Sequence, residues 1–387
     1  MAVRIVFGKM AQPTLDQVTV PFVDLNRLNE PIRADFLDAV SALVDTGAFV
    51  NGPAVASFEQ AFASYCRTSD AVGVASGLDA LRLALLAAGI RRGDEVIVPA
   101  QTFVATLEAV TQAGGTPVPA EIGVADYNLD PAAAEAAVTS NTAFLLPVHL
   151  YGQMADMQSL RSLAERTGLA IVEDACQAHG AERDGIRAGA AGLAGAFSFY
   201  PAKNLGAMGD AGALTTDDPQ LAATVRALRE HGQSRKYRHD LEGYTARLDT
   251  IQAIVLELKL RLLDGWNDER RSSARFLTDA LAGVGDLALP EVPPGSNPVW
   301  HLYVVRTADP DALAESLRAR GIATGRHYPE PVHLAPAYAH LGYAARSFPV
   351  AERVASEGLS LPMFPGISEA QLTAVADAIG AFFNRGE

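Results

Sequence analysis

The chain has 387 residues, of which 49% are hydrophobic and 20% charged, enough for a large domain with a sizeable core and a smaller second one. A formal net charge of -14 argues against nucleic acid and anionic membrane surfaces as partners, and two cysteines, Cys66 and Cys176, are too few for a disulfide framework or zinc cluster. No apolar run approaches the roughly 18 residues of a membrane span, and Val3 to Phe7 is too short for a signal core, so a soluble cytoplasmic protein is expected.

Residues 1–20 carry no usable pattern and are set apart as an N-terminal extension or disordered arm. Ile32, Phe36, Leu37, Val40 and Leu43 then recur at helical spacing, Asn51-Gly-Pro53 breaks the chain, and Val55 to Tyr65 is again amphipathic. From there short apolar strands alternate with helices. Strands are expected at Ala71–Ala75, Glu95–Val98, Pro117–Val118, Thr142–Leu150, Leu169–Val172, Ala196–Tyr200 and Ala213–Thr216. The helices between them start near Leu78, Phe103, Pro131 and Met157, and Asp130-Pro131 has the form of an N-cap followed by proline. Such alternation predicts an α/β fold with a mainly parallel sheet flanked by helices.

Ile251, Ile254, Val255, Leu258 and Leu262 predict a long helix after Arg247. The character changes around Trp266-Asn-Asp-Glu-Arg-Arg271, which divides the chain into a large domain at 21–265 and a small C-terminal α+β domain at 266–387. In the latter, Val299–Val305 reads as a strand, Leu313–Leu317 and Leu372–Phe382 as helices, and 329–336 as a loop.

Two strand ends carry the chemistry. Lys203 sits between the aromatic strand Ala196–Tyr200 and a loop bearing Gly206, Gly209 and Gly212. An isolated lysine usually snorkels to the surface, but a buried one loses its charge readily and is suited to Schiff-base chemistry. Asp174 stands where the apolar strand Leu169–Val172 should emerge. A lysine that captures an aldehyde and an acid that keeps a pyridine nitrogen protonated are the pair a pyridoxal phosphate enzyme needs. Ser76, Gly77 and Leu78 open a helix at another strand end, where backbone N–H groups and the helix dipole suit a phosphate. Neither the dinucleotide glycine pattern nor a Walker loop is present.

These stretches resemble the DegT-type family of sugar aminotransferases, of the aspartate aminotransferase fold (fold type I), from about Val20 to Gln371. The resemblance implies a seven-stranded sheet, pyridoxal 5'-phosphate as cofactor, and catalytic roles for Lys203 and Asp174. It implies cofactor contacts from Ser198 in Phe197-Ser-Phe-Tyr-Pro-Ala-Lys203, from Gln177 in Glu173-Asp-Ala-Cys-Gln-Ala-His179, and from Phe103 as a stacking platform. Where relatives show Asn-Ser-Arg-Leu-Asp, this chain reads Thr245-Ala-Arg-Leu-Asp249. Thr245 would therefore stand in for an asparagine that reaches the phosphate from the partner subunit of a homodimer with shared sites.

The same resemblance implies L-glutamate as donor and a keto-6-deoxy nucleotide-sugar as acceptor, giving an amino sugar for antibiotic or cell-surface glycan biosynthesis. Val148-His-Leu-Tyr-Gly152 and His327-Tyr-Pro329 are more similar to relatives acting on 3-keto than on 4-keto sugars. Lys236, Tyr237 and Arg247 in or after a basic loop, together with His179, His327 and Tyr328, are the candidate substrate contacts. His149, like His179, is equally a candidate for the pocket wall or for a satisfied core histidine. A non-catalytic nucleotide-sugar-binding regulator is the alternative to an enzyme, and Lys203, Asp174 and Gln177 speak against it. No metal is expected.

Overall fold

A seven-stranded sheet organises the larger lobe in this computed structural model, which describes residues 18–384. Its strands are β1 Asp70–Val74, β2 Glu95–Pro99, β3 Thr116–Ala120, β4 Thr142–Leu145, β5 Ala170–Asp174, β6 Ala194–Ser198 and β7 Gly212–Thr216. In space they run β1-β7-β6-β5-β4-β2-β3. All point the same way except β7, which is antiparallel to both β1 and β6.

The strands read as continuous apolar runs because both faces are covered. Val72, Val74, Val96, Val98 and Val172 face one hydrophobic cluster, whereas Ala71, Ile97, Leu145 and Ile171 face another. That split follows the two-residue period of a strand. Helices Gly77–Ala87, Ala105–Gln112 and Pro219–Leu228 cover the first face. Helices Pro53–Cys66, Met157–Thr167 and Thr250–Leu260 cover the second, where Phe58, Phe62, Phe197 and Phe199 pack edge to face.

The small lobe pairs β8 Tyr303–Arg306 with β9 Gly358–Leu361 and packs helices Pro310–Arg318 and Glu369–Phe383 around them. Two features bear on the expected divisions of the chain. The helix after Arg247 ends at Leu260, and a second one, Leu263–Leu281, runs straight through the expected boundary at 265/266. Its charged stretch misleads because Arg270 lies in the buried stripe with Trp266, Ala274 and Leu277. Residues 1–17 of the proposed extension lie outside the described residues, but Val20 is 1% exposed. It pairs with the small lobe through Val20 N–H to the Gly321 carbonyl and Ala323 N–H to the Val20 carbonyl.

Candidate active site

The carboxyl ends of β1, β2, β5 and β6 come together at one edge of the sheet, where open α/β sheets hold their ligands. A cavity of about 390 Å³ opens there, closed on the far side by residues of the small lobe. Ser76, Gly77, Leu78, Phe103, Asp174, Gln177, Ser198 and Lys203 line it, and His327 and Tyr328 enter from the small lobe.

Asp174 ends β5 on the cavity side. Its Oδ2 accepts from the Thr106 hydroxyl at 2.9 Å, and its Oδ1 accepts from the Cys176 N–H at 3.2 Å. Thr106 in turn lies 2.8 Å from the Thr102 hydroxyl. Glu173, one residue earlier, points through the opposite face. Its Oε1 accepts from the N–H groups of Ala191 and Gly192, both at 2.8 Å, and its Oε2 from Gly189 N–H at 3.0 Å. The fourth donor is His149, whose Nε2 lies 2.9 Å from Oε2 while its Nδ1 accepts from Ala155 N–H. With all these bonds made and no exposure, Glu173 is a core strut. His149 is equally buried and bound to that strut, as a satisfied core histidine rather than part of the pocket wall.

Lys203 is half-buried in a tight turn in which its N–H donates to the Tyr200 carbonyl at 2.8 Å. Burial holds its amine below the usual lysine range, with Cys176 and Asp174 opposing the shift. Burial also lowers His327 to about 4 and His301 well below the ordinary imidazole value, each with a smaller contribution from Lys203. Both rings are therefore neutral at physiological pH, leaving the amine as the basic group of the cavity.

Two glycines let the mouth of helix Gly77–Ala87 pack closely against the ends of β6 and β7. A Cβ on Gly77 would come within 2.6 Å of Ser198 Cβ and 2.8 Å of Cys176 Sγ. One on Gly212 would sit 2.3 Å from the Ser76 carbonyl group. Ser76 caps the helix by accepting from Asp79 N–H at 3.0 Å, and Arg82 neutralises Asp79 at 2.5 Å. The N–H groups of the first turn thus lie beside Ser198 at a close approach that glycine permits. Together with a buried acid and a half-buried amine, this donor set fits pyridoxal phosphate.

Phe103 is 50% exposed and stands over the cavity, with Tyr328 tilted against it at a centroid distance of 5.3 Å. Gln177 is held at both ends: its Oε1 accepts from Tyr151 N–H at 2.7 Å, and its Nε2 donates to the Tyr328 hydroxyl at 3.1 Å. The Tyr151 hydroxyl donates to the His327 carbonyl, which ties the large lobe to the small-lobe loop.

Several expected contacts lie elsewhere. His179 does not face the cavity: it is fully buried between Phe197 and Phe199 with Nε2 3.0 Å from the Ser198 carbonyl, and burial lowers it to about 3. Its ring packs behind β6, which corrects the expected substrate role. Lys236 and Tyr237 form the tip of a surface hairpin, with Tyr237 83% exposed. Thr245 lies 3.2 Å from His231 Nε2, and Arg247 pairs with Glu230 at 3.0 Å. None of these four lines the cavity of its own chain.

The cavity also holds residues that the sequence did not single out: Phe22, Cys176, Asp210, His301 and Met363. Cys176 and Asp210 lie within the segments that carry Asp174 and Lys203, whereas Phe22, His301 and Met363 arrive from distant segments and leave no local signal.

Comparison with known proteins places these features in context. Residues 30–380 match the DegT/DnrJ/EryC1/StrS aminotransferase family. The chain is 49% identical over 366 residues to the dTDP-3-amino-3,4,6-trideoxy-alpha-D-glucose transaminase of Streptomyces venezuelae, covering 95% of this chain and 97% of that protein. It is 49% identical over 349 residues to the erythromycin biosynthesis sensory transduction protein EryC1 of Saccharopolyspora erythraea, covering 90% and 95%. The crystal structure of S. venezuelae DesV is similar with a TM-score of 0.93 and 49% identity, covering 95% of this chain and 99% of that one.

Proposed function

The chain belongs to the DegT/DnrJ/EryC1/StrS aminotransferase family, whose cofactor is pyridoxal phosphate, and from that premise we propose its substrates and the roles of its residues. It transfers an amino group from L-glutamate to a keto-6-deoxy nucleotide-sugar, of which a dTDP-3-keto-6-deoxyhexose is the preferred acceptor. The observation that carries this reading is the convergence of Lys203, Asp174 and the glycine-lined helix mouth on one cavity. The 3-keto preference draws on the transaminase from S. venezuelae, similar over nearly the whole chain.

Bound pyridoxal phosphate supplies an electron sink for charge developing at the amino-bearing carbon. Asp174, oriented by Thr106, would hold the positive charge on the ring nitrogen. Lys203 Nζ, kept basic but readily neutral by burial, takes the proton from the donor's α carbon and delivers it again. The N–H groups of Gly77 and Leu78, with Ser76 and the Ser198 hydroxyl, would hold the phosphate, and Phe103 and Gln177 would hold the ring. His327 and Tyr328 border the space left for the acceptor.

A homodimer completes the site. Leu37, Val44, Phe49, Val50 and Ile251 are exposed on helix Arg33–Thr46, the turn after it and the start of helix Thr250–Leu260. These segments adjoin, since Thr250 N–H donates to the Phe49 carbonyl and Val50 bridges Asp249. An apolar face of this kind supports burial against a second copy. Across that face, Thr245, Arg247 and the Lys236–Tyr237 tip serve the neighbour's cavity. Both cysteines are unpaired, which agrees with a reducing cytoplasm. Among the described residues no helix is long and apolar enough to cross a membrane.

EryC1's name is that of a sensory protein, so a nucleotide-sugar-binding regulator is the competing reading. The Lys203–Asp174 pair favours catalysis, because binding alone has no use for a base beside an electron sink. Purified protein with pyridoxal phosphate, glutamate and either 3-keto or 4-keto dTDP-sugar tests the proposal by mass detection of the amino sugar. Product from the 3-keto sugar is expected. Product from the 4-keto sugar alone overturns the regiochemistry, and no product from either overturns the enzyme.

A further inference from the structure

We propose that Lys259, aided by Gln252, is a positioning residue that fixes the loop carrying Lys203. Both lie on helix Thr250–Leu260, seven residues apart and therefore on one face. The loop from Phe199 to Ala211 joins β6 to β7 and closes on itself: Phe199 N–H donates to the Ala211 carbonyl and Ala207 N–H to the Phe199 carbonyl, each at 2.8 Å. Gln252 grips Met208 twice, accepting from its N–H at 2.8 Å and donating to its carbonyl at 3.3 Å. Lys259 Nζ donates to the Gly206 carbonyl at 2.7 Å.

Gly206 passes this restraint on. A Cβ there would lie 2.2 Å from the Pro201 carbonyl oxygen, so the two backbones are in direct contact. Pro201 lies inside the turn that Lys203 N–H closes on the Tyr200 carbonyl. Only Gly206 separates the Lys259 ammonium from the backbone of the Lys203 turn.

Packing alone does not account for a lysine here. Lys259 is 2% exposed, and among the described residues no carboxylate lies within ion-pair distance of it. Its one hydrogen bond goes to this loop. A buried cation without a counter-ion is costly, and an apolar side chain of equal length would fill the slot more cheaply. The chain has only four lysines, at positions 9, 203, 236 and 259, and two of them meet at one loop. Asp174 and Cys176 act on the Lys203 amine and Lys259 does not, so Lys259 works through backbone geometry.

The inference rests on the reading that Lys203 binds the cofactor, but its first test does not. Hydrogen exchange on the cofactor-free chain compares wild type with Lys259→Met, following peptides over 199–212 and over helix Gly77–Ala87. Exchange in 199–212 should rise about tenfold or more while the helix is unchanged, as expected when one charge-assisted bond to a loop is lost. In parallel, pyridoxal phosphate is added and the visible band of Lys203-bound cofactor is followed. It should form several-fold more slowly in Lys259→Met and recover in Lys259→Arg, which keeps a donor. If Lys259→Met does not fold, Gln252→Ala tests the same clamp from the Met208 side. Wild-type exchange in either folded variant, or a rise spread evenly over all peptides, overturns the proposal. A wild-type chain with no visible band would overturn the role of Lys203, while the exchange comparison would still decide that of Lys259.

Discussion

Replacing Gly77 by alanine should weaken the fold and the cofactor site together. The new Cβ would lie 2.6 Å from Ser198 Cβ, 2.8 Å from Cys176 Sγ and 3.1 Å from Ser198 Cα. Two of those atoms are fixed to the end of β6 and cannot rotate away, so the helix mouth must move. Such overpacking costs about 1–3 kcal/mol. Alanine's better helix propensity returns at most about 1 kcal/mol, and less at the first helical position. The net loss, read by urea unfolding, should be about 1–2 kcal/mol. The displacement falls between the N–H donors and Ser198, so the Kd for pyridoxal phosphate should rise about tenfold, equivalent to about 1.4 kcal/mol. Cys176→Ala removes the 2.8 Å contact but not the 2.6 Å one, so the double variant should regain only part of each loss. Wild-type stability and wild-type cofactor affinity in Gly77→Ala would refute the reasoning that close approach demands this glycine.

The adjacent acids of β5 should separate stability from catalysis. Glu173→Ala strands three N–H donors and His149 in the core and should cost about 3–5 kcal/mol in urea unfolding. Asp174→Asn should change stability by less than about 1 kcal/mol yet abolish the glutamate half-reaction, and the reverse pattern would exchange their roles. Burial lowers Lys259 to about 8 in the folded chain, below its value when unfolded. Between about pH 8 and pH 10.4 the unfolded chain therefore binds more protons, and the stability of wild type relative to Lys259→Met should climb by about 3 kcal/mol. A flat difference across that window would contradict the burial of its charge. Mixing inactive Lys203→Ala and Arg247→Ala dimers should restore about a quarter of the sites if Arg247 serves the neighbour, and none if its pairing with Glu230 serves its own chain.

Much of the fold is written in short-range patterns. Most of the alternating strands and helices from Ala71 onward lie close to their expected places, because each apolar run is buried on both sheet faces. The strand expected over Thr142–Leu150, however, ends at Leu145, and Leu150 opens a 3-10 turn. The reversal of β7 is not written there, since a buried strand has the same composition in either direction. Asp174 and Lys203 are legible as polar residues at the ends of apolar strands, where a buried charge needs a purpose. Once β5 is extended to Asp174, the period of two already assigns Glu173 to the opposite face. His179 was not separable from a pocket residue, because imidazole suits a core next to phenylalanines as well as a wet cleft. Trp266 to Arg271 looks like a boundary only if Arg270 is taken as exposed. The carbonyls of Met363 and Trp300 that receive its guanidinium come from far along the chain.

The central claim is that Lys203 is the amine that binds the cofactor and moves the proton. Borohydride reduction of the chain loaded with pyridoxal phosphate, followed by peptide mass mapping, tests it directly, since only four lysine side chains can take the label. The label should fall on Lys203, and Lys203→Ala should fold, take no label and transfer no amino group. A label on Lys236 or Lys259, or amino transfer by Lys203→Ala at a rate near that of the wild type, would contradict it.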